Sequence, residues 1–274
     1  MTVAALVACE RAGNELEERE VMTTNVSSIR GPAGTLHVDD GGEGGVPVVF
    51  VHAYTGTASH WAAQLAHLRP DRRAVAFDLR GHGESDAPRD NHYAIAALAQ
   101  DIDAVLDSLH LTRVVLVGHS LGGAAAIEYA GTQPERVAGL MLVATTGRLP
   151  DEQGQQITAA LDSNYAQVMQ QIWSRLLANA TPEVRTRVAR ERERLSEAES
   201  RSIIRATFEY DPLPALRQYQ GPTLNVTTGD DNPTDLHHLV AGLRHRAIEG
   251  TSHWPQMDKP DEFNRVLDEF LSGL

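Results

Sequence analysis

The segment RVVLVGHSLGG, residues 113 to 123, drives a β-branched, apolar run straight into a serine set among glycines. Two physical readings fit it. In the first, a strand turns sharply into a helix and exposes Ser120 at the turn; Gly118 and Gly122 are then small because strand and helix pass close together. In the second, an ordinary Gly-rich connection uses Ser120 only to cap the next helix. The first reading carries chemistry. A serine hydroxyl is a weak nucleophile at neutral pH and acts only with a general base in hydrogen-bond reach. The chain has twelve histidines from which that base could come.

The elements that would position such a group follow from periodicity. GTLHVDDG alternates apolar and polar residues and ends in a Gly-rich turn, as a half-buried strand does. VPVVFVHAY and RAVAFDLR are continuous apolar runs of strand length, expected where both faces of a sheet are covered. YAIAALAQDIDAVLDSLHL has helical spacing, with Ile95, Leu98, Ile102, Val105, Leu106 and Leu109 on one face. Strand and helix signals alternate in this way up to residue 146, which implies a mainly parallel, doubly wound sheet. From 147 to 215 helix signals replace strands. Thr181 precedes Pro182 as an N-cap, Ser196 and Glu199 form a capping box, and NYAQVMQQIWSRLL carries an apolar stripe. PTLNVTT, HRAIEG and DEFNRVLDEFL then resume the alternation. The expected organisation is an N-terminal extension without fixed structure over 1–22, a core over 23–146 and 216–274, and a helical cap over 147–215.

Composition narrows the partners. Among 274 residues, 42% are hydrophobic and 22% charged, with a formal net charge of −13. That balance argues against binding nucleic acid or an anionic membrane surface. No apolar run approaches the ~18 residues that a transmembrane helix needs. LVAC before Glu10 has the look of a lipoprotein processing box, but no basic residue precedes it, and a secretory signal is not expected. The single cysteine, Cys9, excludes an intrachain disulfide and a Cys-cluster zinc site. No phosphate loop is present, and His237 and His238 lack ligand partners in sequence, so neither cofactor nor metal is expected. The expected setting is cytoplasmic, with a small-molecule substrate and no sign of obligatory oligomers.

Four signals stand in one order: VFVHAYTG, DLRGHGESD, GHSLGG and GTSHWPQMDKPDEF. Together they resemble the α/β-hydrolase superfamily over nearly the whole chain from residue 27, and the resemblance implies the α/β-hydrolase fold with a nucleophile elbow at Ser120. It implies His253 as the base, in the loop before the C-terminal helix. Family members commonly place the acid as G-x-x-D after the penultimate strand. Here that position is Asn232, and a loop one residue shorter moves the role to Asp231, with Asp230 as the alternative. Both aspartates also suit a turn at a helix N-terminus. The backbone N–H groups of Tyr54 and Leu121 are the implied oxyanion hole, and Tyr165, Met169, Trp173 and Trp254 are candidates for the pocket wall. Asp78, Arg80 and Ser85 are read as braces of a turn. The implied activity is hydrolysis of a carboxylic ester or lactone. The alternatives are C–C bond hydrolysis of a diketo acid and a noncatalytic or slow-turnover receptor on the same fold.

The register of the acid is directly testable. If Asp231 orients the imidazole, Asp231→Asn lowers kcat by about 10⁴, as the wrong hydrogen-bonding partner does in a serine triad. Asp230→Asn should cost far less, through screened electrostatics alone. The reversed pattern would move the acid to Asp230.

Overall fold

Residues two apart in a strand share a face, and this alone sorts the buried runs into two cores. The computed structural model describes residues 25–229 and 232–274. Strands β3 (Val48–Val51), β4 (Ala74–Phe77), β5 (Val114–His119) and β6 (Val137–Val143) lie parallel in the order β4-β3-β5-β6. Val49, Val51, Val75, Phe77, Leu116, Leu140 and Leu142 point to one face; Val48, Phe50, Ala76, Val115, Val117, Met141 and Val143 point to the other. Helices α2 (Ile95–Ser108) and α3 (Leu121–Thr132) cover the first face, while α1 (Ala62–Leu68) and α10 (Pro260–Ser272) cover the second.

The sheet is completed by β7 (Thr223–Thr227) and β8 (Arg244–Ala247), both parallel, and at the far edge by antiparallel β1 (Asn25–Arg30) and β2 (Thr35–Gly41). Among the described residues it has eight strands in the order β1-β2-β4-β3-β5-β6-β7-β8. This is the α/β-hydrolase fold. β1 was not expected as a strand. Its sequence NVSSIR has few apolar residues, and Val26 is 62% exposed, because an edge strand can leave one face in water. Residues 1–22, expected to lack fixed structure, lie outside the described residues.

Between β6 and β7 the chain forms α4 (Asp151–Leu176), α5 (Pro182–Glu191), α6 (Glu197–Glu209) and α7 (Leu213–Gln218), with a 3-10 turn over Arg192–Arg194. Thr181 Oγ1 accepts from the Val184 amide at 3.3 Å, and Ser196 and Glu199 form the reciprocal capping box. α4 begins well before the expected NYAQVMQQ stretch and breaks its helical backbone at Asn164 (φ −151°, ψ 61°). Leu161, Met169, Trp173, Leu177, Val184, Val188 and Ile204 give this insertion its own apolar cluster, which is closed by Trp254 from the core. The short helices α8 (Leu236–Leu239) and α9 (Pro255–Asp258) complete the chain. Among the described residues no helix is long and apolar enough to cross a membrane.

The DLRGHGES loop is a brace, as expected. Asp78, at the end of β4, accepts from the Ala58 amide at 2.6 Å and the Glu84 amide at 2.9 Å, and Ser85 Oγ donates to the Asp78 carbonyl at 2.6 Å. Arg80 meets Asp101 of α2 in a two-pronged pair, Nε–Oδ2 at 2.8 Å and Nη2–Oδ1 at 2.7 Å, with both side chains buried. Burial pushes the Asp101 carboxyl up, and the Arg80 guanidinium opposes that shift without cancelling it. Removing one partner of a buried pair leaves the other charge uncompensated. Asp101→Asn should therefore cost about 3–5 kcal/mol in urea unfolding; a loss below about 1 kcal/mol would show that Arg80 is satisfied by the Ala97 carbonyl, which accepts from its Nη2 at 2.7 Å.

Candidate functional site

The site is built where β5 ends. Ser120 has φ 52° and ψ −112°, a left-handed backbone that an L-residue adopts at a cost of about 1–3 kcal/mol unless its surroundings over-determine it. The surroundings do so here. The Ser120 amide donates to the Val143 carbonyl at 2.9 Å, and its own carbonyl accepts from the Ala124 amide at 2.9 Å, starting α3. A Cβ at Gly118 would meet the Gly122 carbonyl oxygen at 2.6 Å, and one at Gly122 would meet the His52 and Val51 carbonyl oxygens at 2.4 and 2.5 Å. The glycines of the motif are therefore steric necessities of a tight strand-to-helix turn, and the Ser120 side chain makes no capping hydrogen bond to the helix it precedes.

His253 is carried to this turn by its backbone. Its carbonyl accepts from His119 Nε2 at 2.7 Å, its amide donates to the Leu176 carbonyl of α4 at 3.0 Å, and its ring lies 4.9 Å from that of His119. Asp258 fixes the loop by accepting from the Ser252 amide at 2.8 Å and from the Thr181 amide at 2.9 Å. Sequence reasoning missed Asp258 and Gln256, which lie in the recognised GTSHWPQMDK segment but act only through tertiary contacts. Burial lowers the His253 ring to about 4. Among the described residues no hydrogen bond joins Ser120 Oγ to the His253 ring; such bonds commonly tighten only with substrate in place.

The neighbouring histidines are structural. His52 Nδ1–H donates to the Ala53 carbonyl at 2.8 Å while Nε2 accepts from the Leu79 amide at 2.9 Å, which fixes one neutral tautomer. His119 is placed likewise: Nε2–H faces the His253 carbonyl, and Nδ1 accepts from Gln256 Nε2 at 3.1 Å. Burial brings His52 and His82 to about 3 and holds His119 well below its usual range.

Leu121 opens α3, so its N–H is one of the amides that a helix start leaves without an internal partner. Tyr54 follows His52 and Ala53 at the end of β3. Among the described residues no protein acceptor takes the amide of Leu121 or of Tyr54. The Tyr54 ring stacks on Trp173 at 5.8 Å, and burial pushes its phenol up. Tyr54, Tyr165, Met169 and Trp173, with Arg192 and Ser200, line a cleft of about 360 Å³. Trp254 does not line it. It is 1% exposed and lies behind Trp173, ring to ring at 6.3 Å.

Asp231 and Asp230 lie outside the described residues. Asn232, at the position where an acid is common, is committed elsewhere: its Oδ1 accepts from the Thr234 amide at 3.1 Å and from the Thr234 hydroxyl at 2.9 Å. The same loop buries a further carboxylate, Asp235, at 6% exposure.

A family model described as "Alpha/beta hydrolase family" matches residues 48–266. A stretch of 107 residues, 39% of the chain, is 42% identical to the dihydrolipoyllysine-residue acetyltransferase component of the acetoin cleaving system of Pseudomonas putida, of which it covers 29%. The chain spans 29% to 39% of the length of the curated relatives it matches. Est816, described as an N-acyl homoserine lactone degrading enzyme, superposes with a TM-score of 0.75 at 26% identity, covering 89% of this chain and 100% of that one. An esterase from Exiguobacterium antarcticum superposes with a TM-score of 0.78 at 22% identity, covering 90% and 100%.

The buried imidazoles link stability to pH. Their folded-state values lie below the ordinary 6.5, so as pH falls through 6.5 the unfolded chain takes up protons that the folded chain refuses. Stability is then lost on acidification, in a range where most carboxylates do not titrate. Between pH 7 and 5.5 each of His52, His82 and His119 should remove on the order of 1 kcal/mol in urea unfolding. An unfolding free energy that is flat across that interval would mean that these rings take up protons in the folded chain as readily as in the unfolded one.

Proposed function

Because the chain belongs to the α/β hydrolase family, we propose that it is a serine hydrolase that cleaves small-molecule carboxylic esters or lactones through an acyl-enzyme on Ser120. The observation that carries this reading is the left-handed Ser120 between β5 and α3, because a serine held at that cost is held for its exposed hydroxyl. Ser120 Oγ attacks the substrate carbonyl carbon as His253 takes its proton. The Leu121 and Tyr54 amides donate to the oxyanion that develops. Collapse of the tetrahedral intermediate expels the alcohol, which leaves with the proton from His253. Water then attacks the acyl-enzyme by the same route and releases the acid.

At about 4 the buried His253 ring is neutral at pH 7, and so can accept a proton, but it is a weak base. A carboxylate at Nδ1 corrects this by stabilising the imidazolium and fixing the tautomer; Asp231 is proposed for that role. The insertion over 147–215 acts as a cap, and the cleft lined by Tyr54, Tyr165, Met169 and Trp173 receives the substrate. Its aromatic walls suit an apolar acyl or ring portion. The description of Est816, an acyl homoserine lactone degrading enzyme, supports ester or lactone chemistry.

Ser120→Ala should lower kcat on p-nitrophenyl butyrate by on the order of 10⁴–10⁶, the range of triad deletions, with the thermal midpoint unchanged. Activity within tenfold of wild type would remove Ser120 as nucleophile, and a wild-type protein without ester turnover would favour a binding function.

A further inference from the structure

The backbone that presents the Tyr54 amide is strained and only partly self-supported. The Ala53 carbonyl is held by the Gly56 amide at 2.9 Å and by His52, but Thr55 sits at φ 63° with its hydroxyl buried and unpartnered. The next turn, Ala58–Trp61, is where the insertion takes hold of this loop. His60 has a fully buried side chain whose Nε2 donates to Glu191 Oε2, at the last residue of α5. Its ring packs directly against the loop, since a Cβ at Gly56 would meet His60 Nδ1 at 2.9 Å. A second arm runs beside the first. Arg187 Nη2 donates to Ser59 Oγ at 2.7 Å, Ser59 is hydrogen-bonded to Thr57 Oγ1 at 2.5 Å, and Arg187 Nε donates to Glu191 Oε1 at 3.3 Å.

The chain immediately after Glu191 belongs to the cleft. Arg192 and Glu193 line it, and the Arg192 guanidinium lies 5.8 Å from the centre of the Trp173 ring. One short segment thus lines the cleft and holds the imidazole that packs under the oxyanion loop. A buried imidazole and a partly buried carboxylate lose solvation that apolar side chains would not lose, so such a pair is weak evidence for stability by itself.

We infer that Glu191 is a positioning residue: through His60 it holds the Gly56 turn, and with it the Tyr54 amide, in the geometry that receives the oxyanion, coupling the insertion to the catalytic step. The inference rests on the serine-hydrolase reading above. A merely structural pair would alter stability and leave the balance between ground state and transition state alone, whereas a displaced oxyanion donor weakens only the latter.

The test uses the full chain, p-nitrophenyl acetate as a substrate too small to fill the cleft, and n-butylboronic acid, whose tetrahedral serine adduct places a hydroxyl in the oxyanion hole. Glu191→Ala should lower kcat about tenfold, the scale of a sub-ångström misplacement of a catalytic group, and weaken the boronate by a similar factor with KM unchanged. Glu191→Gln, which keeps an acceptor for His60 Nε2–H, should recover most of both losses. Arg187→Ala, a change at a partly exposed side chain that folding tolerates, should show a smaller loss of the same kind. Wild-type kcat and boronate affinity in Glu191→Ala, or a change confined to KM, would overturn the inference. So would a Glu191→Gln as impaired as Glu191→Ala. A wild-type chain that neither turns over the ester nor binds the boronate overturns the underlying reading instead.

Discussion

The reversal of the backbone at Ser120 is the constraint on which the site depends. A residue at φ 52° between a buried strand and a helix persists only if its neighbours leave it no alternative. β5 lies between β3 and β6 in the sheet, its six residues buried, so the strand cannot yield. The first turn of α3 cannot yield either, because Gly122 rests against the carbonyls that end β3. That contact has a second effect. It seats the start of α3 on the strand from which the Tyr54 loop springs, so that two amides remote in sequence come from adjoining strand ends. The reversal thus also seats the Leu121 amide beside the strand end that carries the Tyr54 amide, the two donors proposed for the oxyanion.

Around the reversal the protein buries imidazoles and keeps them neutral. His52 closes the start of the Tyr54 loop and accepts from the β4 end, while His119 supports the carbonyl of His253. Each is bonded through both ring nitrogens, and each such ring specifies one arrangement because a rotated one would strand a buried donor or acceptor. The arrangement is expected to lower stability on acidification, since the unfolded chain takes up protons that these rings refuse. It also leaves His253 in surroundings that depress its basicity, which is the physical reason the proposed reaction needs a carboxylate partner.

Much of this was legible in the sequence because it is local or periodic. The continuous apolar runs VVFV, AVAF and VVLV marked strands buried on both faces, and the helix starts at Thr181 and Ser196 carried their own caps. The glycines around Ser120 signalled close packing before any partner was known. Other features have no local signature. β1 is polar because it lies at an edge, and the break at Asn164 sits inside an otherwise helical run. Trp254 reads as a pocket aromatic, yet it packs behind Trp173. The His60–Glu191 bond spans 131 positions, and neither residue belongs to a motif, so only the docking of the insertion on the core makes the pair visible. The acid is the hardest case: the loop carries several carboxylates and an asparagine in few residues, and spacing alone does not choose among them.

The central claim is that Ser120 is a nucleophile activated by its surroundings. The most direct measurement is peptide mapping by mass spectrometry after brief exposure of the native chain to diisopropyl fluorophosphate at neutral pH. The account expects one diisopropylphosphoryl group, on the peptide containing Ser120, and no labelling after unfolding in urea, because activation depends on the fold. An unmodified Ser120 peptide, or a label on a different serine, would contradict it.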